Sequence, residues 1–195
     1  SAKIALALGH EPLRDVLLRV GFGESPASGF PGERVGVMPD HRIWHDIEVA
    51  TLSFGYGIST SALQLAQAYS VIANDGVRRP ITVLKDGNNV DGAIAGQQVI
   101  DRNVIAQVQD MLRSVVDPEV SGSDSSLVPF YSVAGKTGTA RVVGPNGYDA
   151  RLHNSMFAGY VPADDPRIVV VIIINEPQGA QRYGSQVAAP VFARI

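Results

Sequence analysis

The chain has 195 residues, of which 45% are apolar and 18% charged, enough for one domain or the larger part of one with a sparsely charged surface. Its net charge of −3 comes without a basic run, which argues against nucleic acid as a partner. With no cysteine there is no disulfide frame and no thiolate metal site, and no apolar run approaches the roughly eighteen residues of a membrane span.

Residues 1–8 read as the tail of a helix with Gly9 as its stop, and Pro12 to Val20 as a short helix with Gly21 just past its end. Leu13, Val16, Leu17 and Val20 recur on one face of that second helix. Phe22 to Pro39 holds four glycines and three prolines and reads as a loop. Asp46 to Leu52 follows as a short helix broken by Gly55-Tyr56-Gly57. From Ser61 to Asn74 the helical signal is the clearest in the chain: Ser61 and Gln64 form a capping-box pair, Leu65, Ala68, Tyr69 and Ile72 repeat, and Gly76 ends it. Pro80 to Leu84 and Gln97 to Ile100 are expected to pair around a polar turn as a small hairpin. Asp101 caps a helix carrying Val104, Val108, Met111, Leu112 and Val115, and Gly122 to Ser126 is a connection.

Three extended segments come next: Tyr131 to Val143, Asn154 to Pro162, and Arg167 to Ile174, the last two joined by an Asp164-Asp165-Pro166 turn. They predict an antiparallel meander with its first strand at an edge or beside a cleft. The apolar run Ile168 to Ile174 reads as a buried central strand. Gly144 to His153, ten residues, reads as a long connecting loop, either a rim that orders through Tyr148 or Arg151 on ligand binding or a passive connection that merely tolerates length. A last helix opens at Val187, with Pro190 early in it. Helices flanking one antiparallel sheet make the fold class α+β.

The chemistry concentrates at residues 135–141, Gly-Lys-Thr-Gly-Thr-Ala-Arg. Small residues leave part of that strand bare, so that another extended backbone can approach and pair with it. Lys136 adds a positive charge, and the hydroxyls of Thr137 and Thr139 fall on one face at a spacing of two. Such a strand suits an acylated peptide ending in a carboxylate.

Five ordered segments extend the pattern: Gly29-Phe30-Pro31-Gly32-Glu33, Thr51 to Gly57, the helix ending Ala73-Asn74-Asp75-Gly76, Ala134 to Arg141, and Phe157-Ala158-Gly159. Together they resemble, over nearly the whole chain, the C-terminal part of the transpeptidase domain of class B penicillin-binding proteins, with septal peptidoglycan D,D-transpeptidases the nearest likeness. The resemblance implies the fold shared by penicillin-binding proteins and serine β-lactamases, an antiparallel sheet flanked by helices. That family acylates through a serine in Ser-x-x-Lys, assisted by Ser-x-Asn. No serine here has lysine three positions on or asparagine two positions on. The N-terminal part of the domain, with both motifs, is therefore expected to lie outside this sequence.

By the same resemblance Lys136 raises the potential at the serine and at the substrate carboxylate. Thr137 and Thr139 hold that carboxylate, Gly138 lets the substrate backbone approach, and the Thr139 N–H forms half of an oxyanion hole. Arg141, on the face of Thr139, suits bidentate capture of a carboxylate, the alternative being a solvated strand-end arginine. Tyr56 and Tyr183 are implied as aromatic walls, with packed aromatics the alternative for Tyr56. His10, His41, His45 and His153 lack metal-ligand spacing, so no metal and no cofactor are expected. Glu48 reads as ordinary helix-surface charge.

The implied activity is cross-linking of peptidoglycan stem peptides ending in D-Ala-D-Ala, with β-lactam antibiotics trapping the same serine ester. The implied partners are the remainder of the same protein and divisome proteins, at the periplasmic face of the inner membrane, held by an anchor elsewhere. A non-catalytic penicillin-binding sensor or scaffold, and a D,D-carboxypeptidase or β-lactamase-like hydrolase, remain alternatives.

Overall fold

The computed structural model describes residues 1–41, 43–83, 95–121, 126–144 and 147–195. They form two compact units, residues 1–71 with 77–100 and residues 72–76 with 101–195.

The first unit holds α1 (Ala2–Leu8), α2 (His10–Arg19), α3 (Asp46–Leu52), α4 (Ala62–Ala73) as far as Val71, and a two-residue ladder of β1 (Val77–Arg78) with β2 (Gln97–Gln98). Gly9 stops α1 at φ 82°, a left-handed conformation that glycine enters at little cost. The α2 helix starts two residues before the sequence expectation, at His10, so Pro12 sits within its first turn, where a missing N–H breaks no helical bond. Val16 is exposed on α2 and Leu18 is half-buried, so the stripe turns by less than a full step from the expected one.

The α4 helix begins as expected. The Ser61 N–H donates to Gln64 Oε1 at 2.9 Å and the Gln64 N–H to Ser61 Oγ at 3.2 Å. Its buried face, however, is Gln64, Gln67, Ala68 and Val71, one position off the expected Leu65–Ala68–Tyr69–Ile72 stripe. Gln64 can be buried because Nε2 donates to the carbonyls of Glu24 at 2.9 Å and Val35 at 2.6 Å. One amide thereby ties the glycine-rich segment to the helix. Val20, Ala68 and Val71 form the core of this unit, with Phe22, Val99 and Ile100 against them. The expected hairpin is displaced: the first strand is Val77–Arg78 and not Pro80–Leu84, since Pro80 has no N–H to give a ladder. The polar turn assigned to it, and Leu84, lie outside the described residues.

The second unit holds α5 (Arg102–Val116), α6 (Pro118–Ser121), β3 (Ala134–Gly144), β4 (Gly147–Val161), β5 (Ile168–Asn175), α7 (Gly184–Val187) and α8 (Ala189–Phe192). Asp101 caps α5 as expected, its carboxylate accepting the Asn103 N–H at 2.8 Å. The inner face of α5 carries Ile105 and Val116 with Val108 and Leu112 half-buried, whereas Val104 and Met111 are exposed. The meander is present, antiparallel and ordered β3–β4–β5. Among the described residues β5 pairs on one side only, with β4, and is an edge of this sheet, half-buried over most of its length. That corrects the expectation of a central strand.

The described residues of the expected loop, Gly144 and 147–153, are strand. Strand β3 runs through Gly144 and β4 starts at Gly147, with Val143 opposite Tyr148 and a bulge between Arg141 and Val143. The extra residues of the bulged strand are held locally: Asp149 accepts the Arg151 N–H at 2.7 Å and pairs with its guanidinium. The expected last helix is two short helices starting earlier, at Gly184, with Pro190 in the first turn of α8, where it opens a new helix. These helices pack Ala188, Ala189 and Phe192 onto Phe157, Val133 and Val116, and the Phe157 and Phe192 rings meet at 4.7 Å.

Candidate active site

The register of the sheet decides where each group of the motif strand points. The Glu176 N–H donates to the His153 carbonyl at 2.8 Å, continuing the β4–β5 pairing. Odd-numbered residues of β4 therefore bond toward β5, and Asn154, Met156, Ala158 and Tyr160 toward β3. Their partners are Ala140, Gly138, Lys136 and Ala134. By the same alternation Gly135, Thr137 and Thr139 turn their N–H and C=O groups to the other edge of β3, which pairs with no strand among the described residues. A row of main-chain donors and acceptors is thus presented beside the motif side chains.

Side chains divide by face. Thr137 lies across from Phe157 and Thr139 across from Ser155, and cross-strand partners share a face. Lys136 leaves from the opposite face and is exposed. Its ammonium nevertheless reaches the Thr137 carbonyl at 3.3 Å and Thr137 Oγ1 at 3.4 Å. A lysine and a threonine of opposite faces converge in this way on the open edge, a cationic and hydroxyl-bearing spot beside amides that pair with no strand among the described residues. Arg141 is exposed on the face of Thr139.

The small residues of the strand have internal reasons as well. A Cβ on Gly135 would lie 2.7 Å from the Phe157 ring and 2.8 Å from the Ala158 carbonyl oxygen, so the two strands close over a bare Cα. At Gly138 the space is taken by Met156, whose Cγ would meet a Cβ at 2.7 Å. Met156 was not singled out from the sequence; only the register reveals it under the motif.

Tyr183 is 57% exposed at the start of α7, in the same unit as the motif strand. Tyr56 belongs to the other unit, half-buried between Gly55 at φ 91° and Gly57 at φ 76°, with its ring edge-on to Phe54 at 5.8 Å. Ser132, the serine nearest in sequence to the motif lysine, is committed elsewhere. Its Oγ donates to Asp164 at 2.6 Å and accepts the Ala163 N–H at 3.0 Å, closing the β4–β5 turn. Among the histidines, His10 stacks on Trp44 at 5.2 Å and His41 meets the same ring edge-on. Glu48 accepts the His45 N–H at 2.9 Å and so caps α3. Among the described residues no group of three metal-ligating side chains converges.

The family model described as the penicillin-binding protein transpeptidase domain matches residues 1–195. The probable peptidoglycan D,D-transpeptidase PbpC of Pseudomonas aeruginosa is 40% identical over all of this chain and 34% of its own length. The peptidoglycan D,D-transpeptidase FtsI of Escherichia coli is 39% identical, with 32% of its length covered. The chain thus spans about a third of the length of these curated relatives. The transpeptidase domain of Burkholderia pseudomallei penicillin-binding protein 3, in its apo structure, superposes with a TM-score of 0.88 at 38% identity, covering 98% of this chain and 57% of that one. Matched in sequence from end to end and in the fold that carries the Lys136–Thr139 edge, the chain belongs to the transpeptidase-domain family of the penicillin-binding proteins.

Proposed function

We propose that the chain is the C-terminal portion of a single transpeptidase domain and supplies the Lys-Thr-Gly strand of a peptidoglycan D,D-transpeptidase. The open edge of β3 carries this reading: the amides of Thr137 and Thr139 face outward, and the Lys136 ammonium lies beside the Thr137 hydroxyl. An extended stem peptide lies along that edge, its terminal carboxylate held by Thr137, Thr139, Lys136 and Arg141. Tyr183, exposed at the start of α7, walls the bound peptide. A serine borne by the remainder of the domain attacks the penultimate D-Ala carbonyl carbon, which receives negative charge on its oxygen. The Thr139 N–H stabilises that oxygen, an effect worth about 2.7–4 kcal/mol per donor in such sites. The C–N bond then breaks, D-Ala leaves with a proton on its amine, and the serine ester remains. An amine of a second stem peptide attacks the ester, forms the cross-link and returns the serine. A β-lactam enters the same sequence by opening its ring on the serine. Because its amine stays tethered to the acyl group, the ester persists.

The protein so described acts at the periplasmic face of the inner membrane, in septal wall synthesis with divisome proteins. Acylation of the full-length protein by fluorescent penicillin, followed in time, tests the reading. The parent protein is expected to label, and Lys136→Ala to label on the order of 10²–10³ more slowly, the scale of losing a group that stabilises developing charge. Melting should hardly move, because Lys136 is exposed. A Lys136→Ala rate within twofold of the parent would make the lysine a solvated side chain and remove the proposal's main support.

A further inference from the structure

Thr139 and Ser155 stand directly opposite on β3 and β4 and share a face. Each hydroxyl holds the same short segment before α7. Ser155 Oγ, fully buried, donates to the Arg182 carbonyl, and Thr139 Oγ1 accepts the Gly184 N–H at 3.0 Å. One contact takes a carbonyl and the other an N–H, two residues apart on the segment. Gly184 is itself fitted to this seat: a Cβ there would lie 2.4 Å from the Met156 carbonyl oxygen and 2.6 Å from that of Gly138. Any side chain at 184 would lift the segment off the motif strand.

The polarity matters for chemistry. A threonine hydroxyl whose oxygen already accepts an N–H cannot turn its own hydrogen toward that donor. Its O–H is left as a donor for an anion on the open side. We infer that Ser155 and Gly184 are positioning residues for acyl-donor recognition: they seat residues 182–184 so that the Gly184 N–H presets Thr139 Oγ1–H as a donor to the substrate carboxylate. This rests on the transpeptidase reading above and adds to it two residues that touch neither substrate nor nucleophile. It also places Tyr183, between the two latched residues, at a fixed point beside the strand.

Two acyl donors tested on the full-length protein separate the ideas. One is a penicillin with its carboxylate, and the other a neutral thioester of an N-acyl-D-alanine, which has none. Ser155→Ala should slow acylation by penicillin about tenfold, the scale of one hydrogen bond to a charged group, and alter thioester acylation less than twofold. In a Thr139→Val background the same substitution should cost penicillin acylation nothing further. Equal losses with both donors, or an additive loss in the Thr139→Val background, would overturn the inference while leaving the transpeptidase reading intact. A parent protein acylated by neither donor would sink that reading, and the inference with it. If Ser155→Ala does not fold, hydrogen exchange at the Gly184 amide decides. It should quicken in Thr139→Val and stay slow in Thr139→Ser, and equal exchange in both would overturn the latch.

Discussion

Thr137 offers the cleanest separation of binding from architecture. Thr137→Val keeps the β-branched shape the strand favours and removes only the hydroxyl next to the Lys136 ammonium. A hydrogen bond to a charged group is worth about 1.5–3 kcal/mol, so acylation by a carboxylate-bearing β-lactam should fall by roughly tenfold to over a hundredfold. A donor lacking the carboxylate should be nearly indifferent, and equal losses would mean that Thr137 acts through strand geometry. Tyr160 poses a different residue-scale question. It is fully buried opposite Ala134, and its hydroxyl has no hydrogen-bond partner among the described residues. Burial chiefly, with Asp110 adding and the nearby Arg113 opposing, pushes its phenol up to about 12 from the ordinary 10.0. The unfolded chain therefore releases this proton first, and stability must fall as pH rises from about 10 to about 12. Tyr160→Phe should abolish that alkaline loss and, by removing an unpaired buried hydroxyl, leave stability at neutral pH equal or higher. Chemical denaturation at pH 7 and pH 11 checks both; an unchanged alkaline slope would show the phenol is not its source.

At the scale of elements, the α4 helix shows how a start signal and a burial pattern come from different physics. Its capping box was legible in Ser61 and Gln64 because the bonds are local in sequence. Its buried face was not, since the two glutamines facing inward are satisfied or sheltered by residues some thirty to fifty positions away. The energetic order follows. Ser61→Ala removes one cap bond and should cost about 1 kcal/mol. Gln64→Ala strips the donor from two carbonyls of the glycine-rich segment and should cost clearly more, at about 1–3 kcal/mol for each group left unpaired. Urea denaturation of the two variants compares them directly, and a Gln64→Ala loss no larger than that of Ser61→Ala would deny the amide its bridging role. The same contrast explains the β3–β4 hairpin. Glycine, proline and charge in residues 144–153 read as a loop, yet cross-strand pairing of Val143 with Tyr148 extends the ladder to Gly144 and Gly147. Pairing partners outweigh composition in an edge hairpin.

For the molecule as a whole, the proposed function assigns the nucleophilic serine to a part of the domain outside residues 1–195. The sequence holds no Ser-x-x-Lys, and the serine nearest the motif lysine in the chain is bonded to Asp164 and Ala163. Residues 1–195 purified alone should therefore form no covalent adduct with fluorescent penicillin on a denaturing gel. A labelled band would place a nucleophile within this chain and contradict the assignment of the serine to the remainder of the domain. The expected mode of substrate binding, strand addition, also requires that the edge of β3 stay uncovered by other strands of the complete domain.

What the sequence determined by itself was whatever depends on neighbours in the chain. Helix caps, the glycine stops at Gly9 and Gly76, the order of three strands, and the Lys136–Thr139 motif with its family all rest on local pattern. What only the tertiary structure decided depends on register and on partners distant in sequence. The outward turn of the Thr137 and Thr139 amides follows from one hydrogen bond between Glu176 and His153 and the pairing it continues. The seat of Gly184 on Gly138, and of the Arg182 carbonyl on Ser155, joins residues 27 to 46 positions apart. Such contacts carry no periodic signature, because a strand's pattern says which residues share a face and not which partner stands opposite.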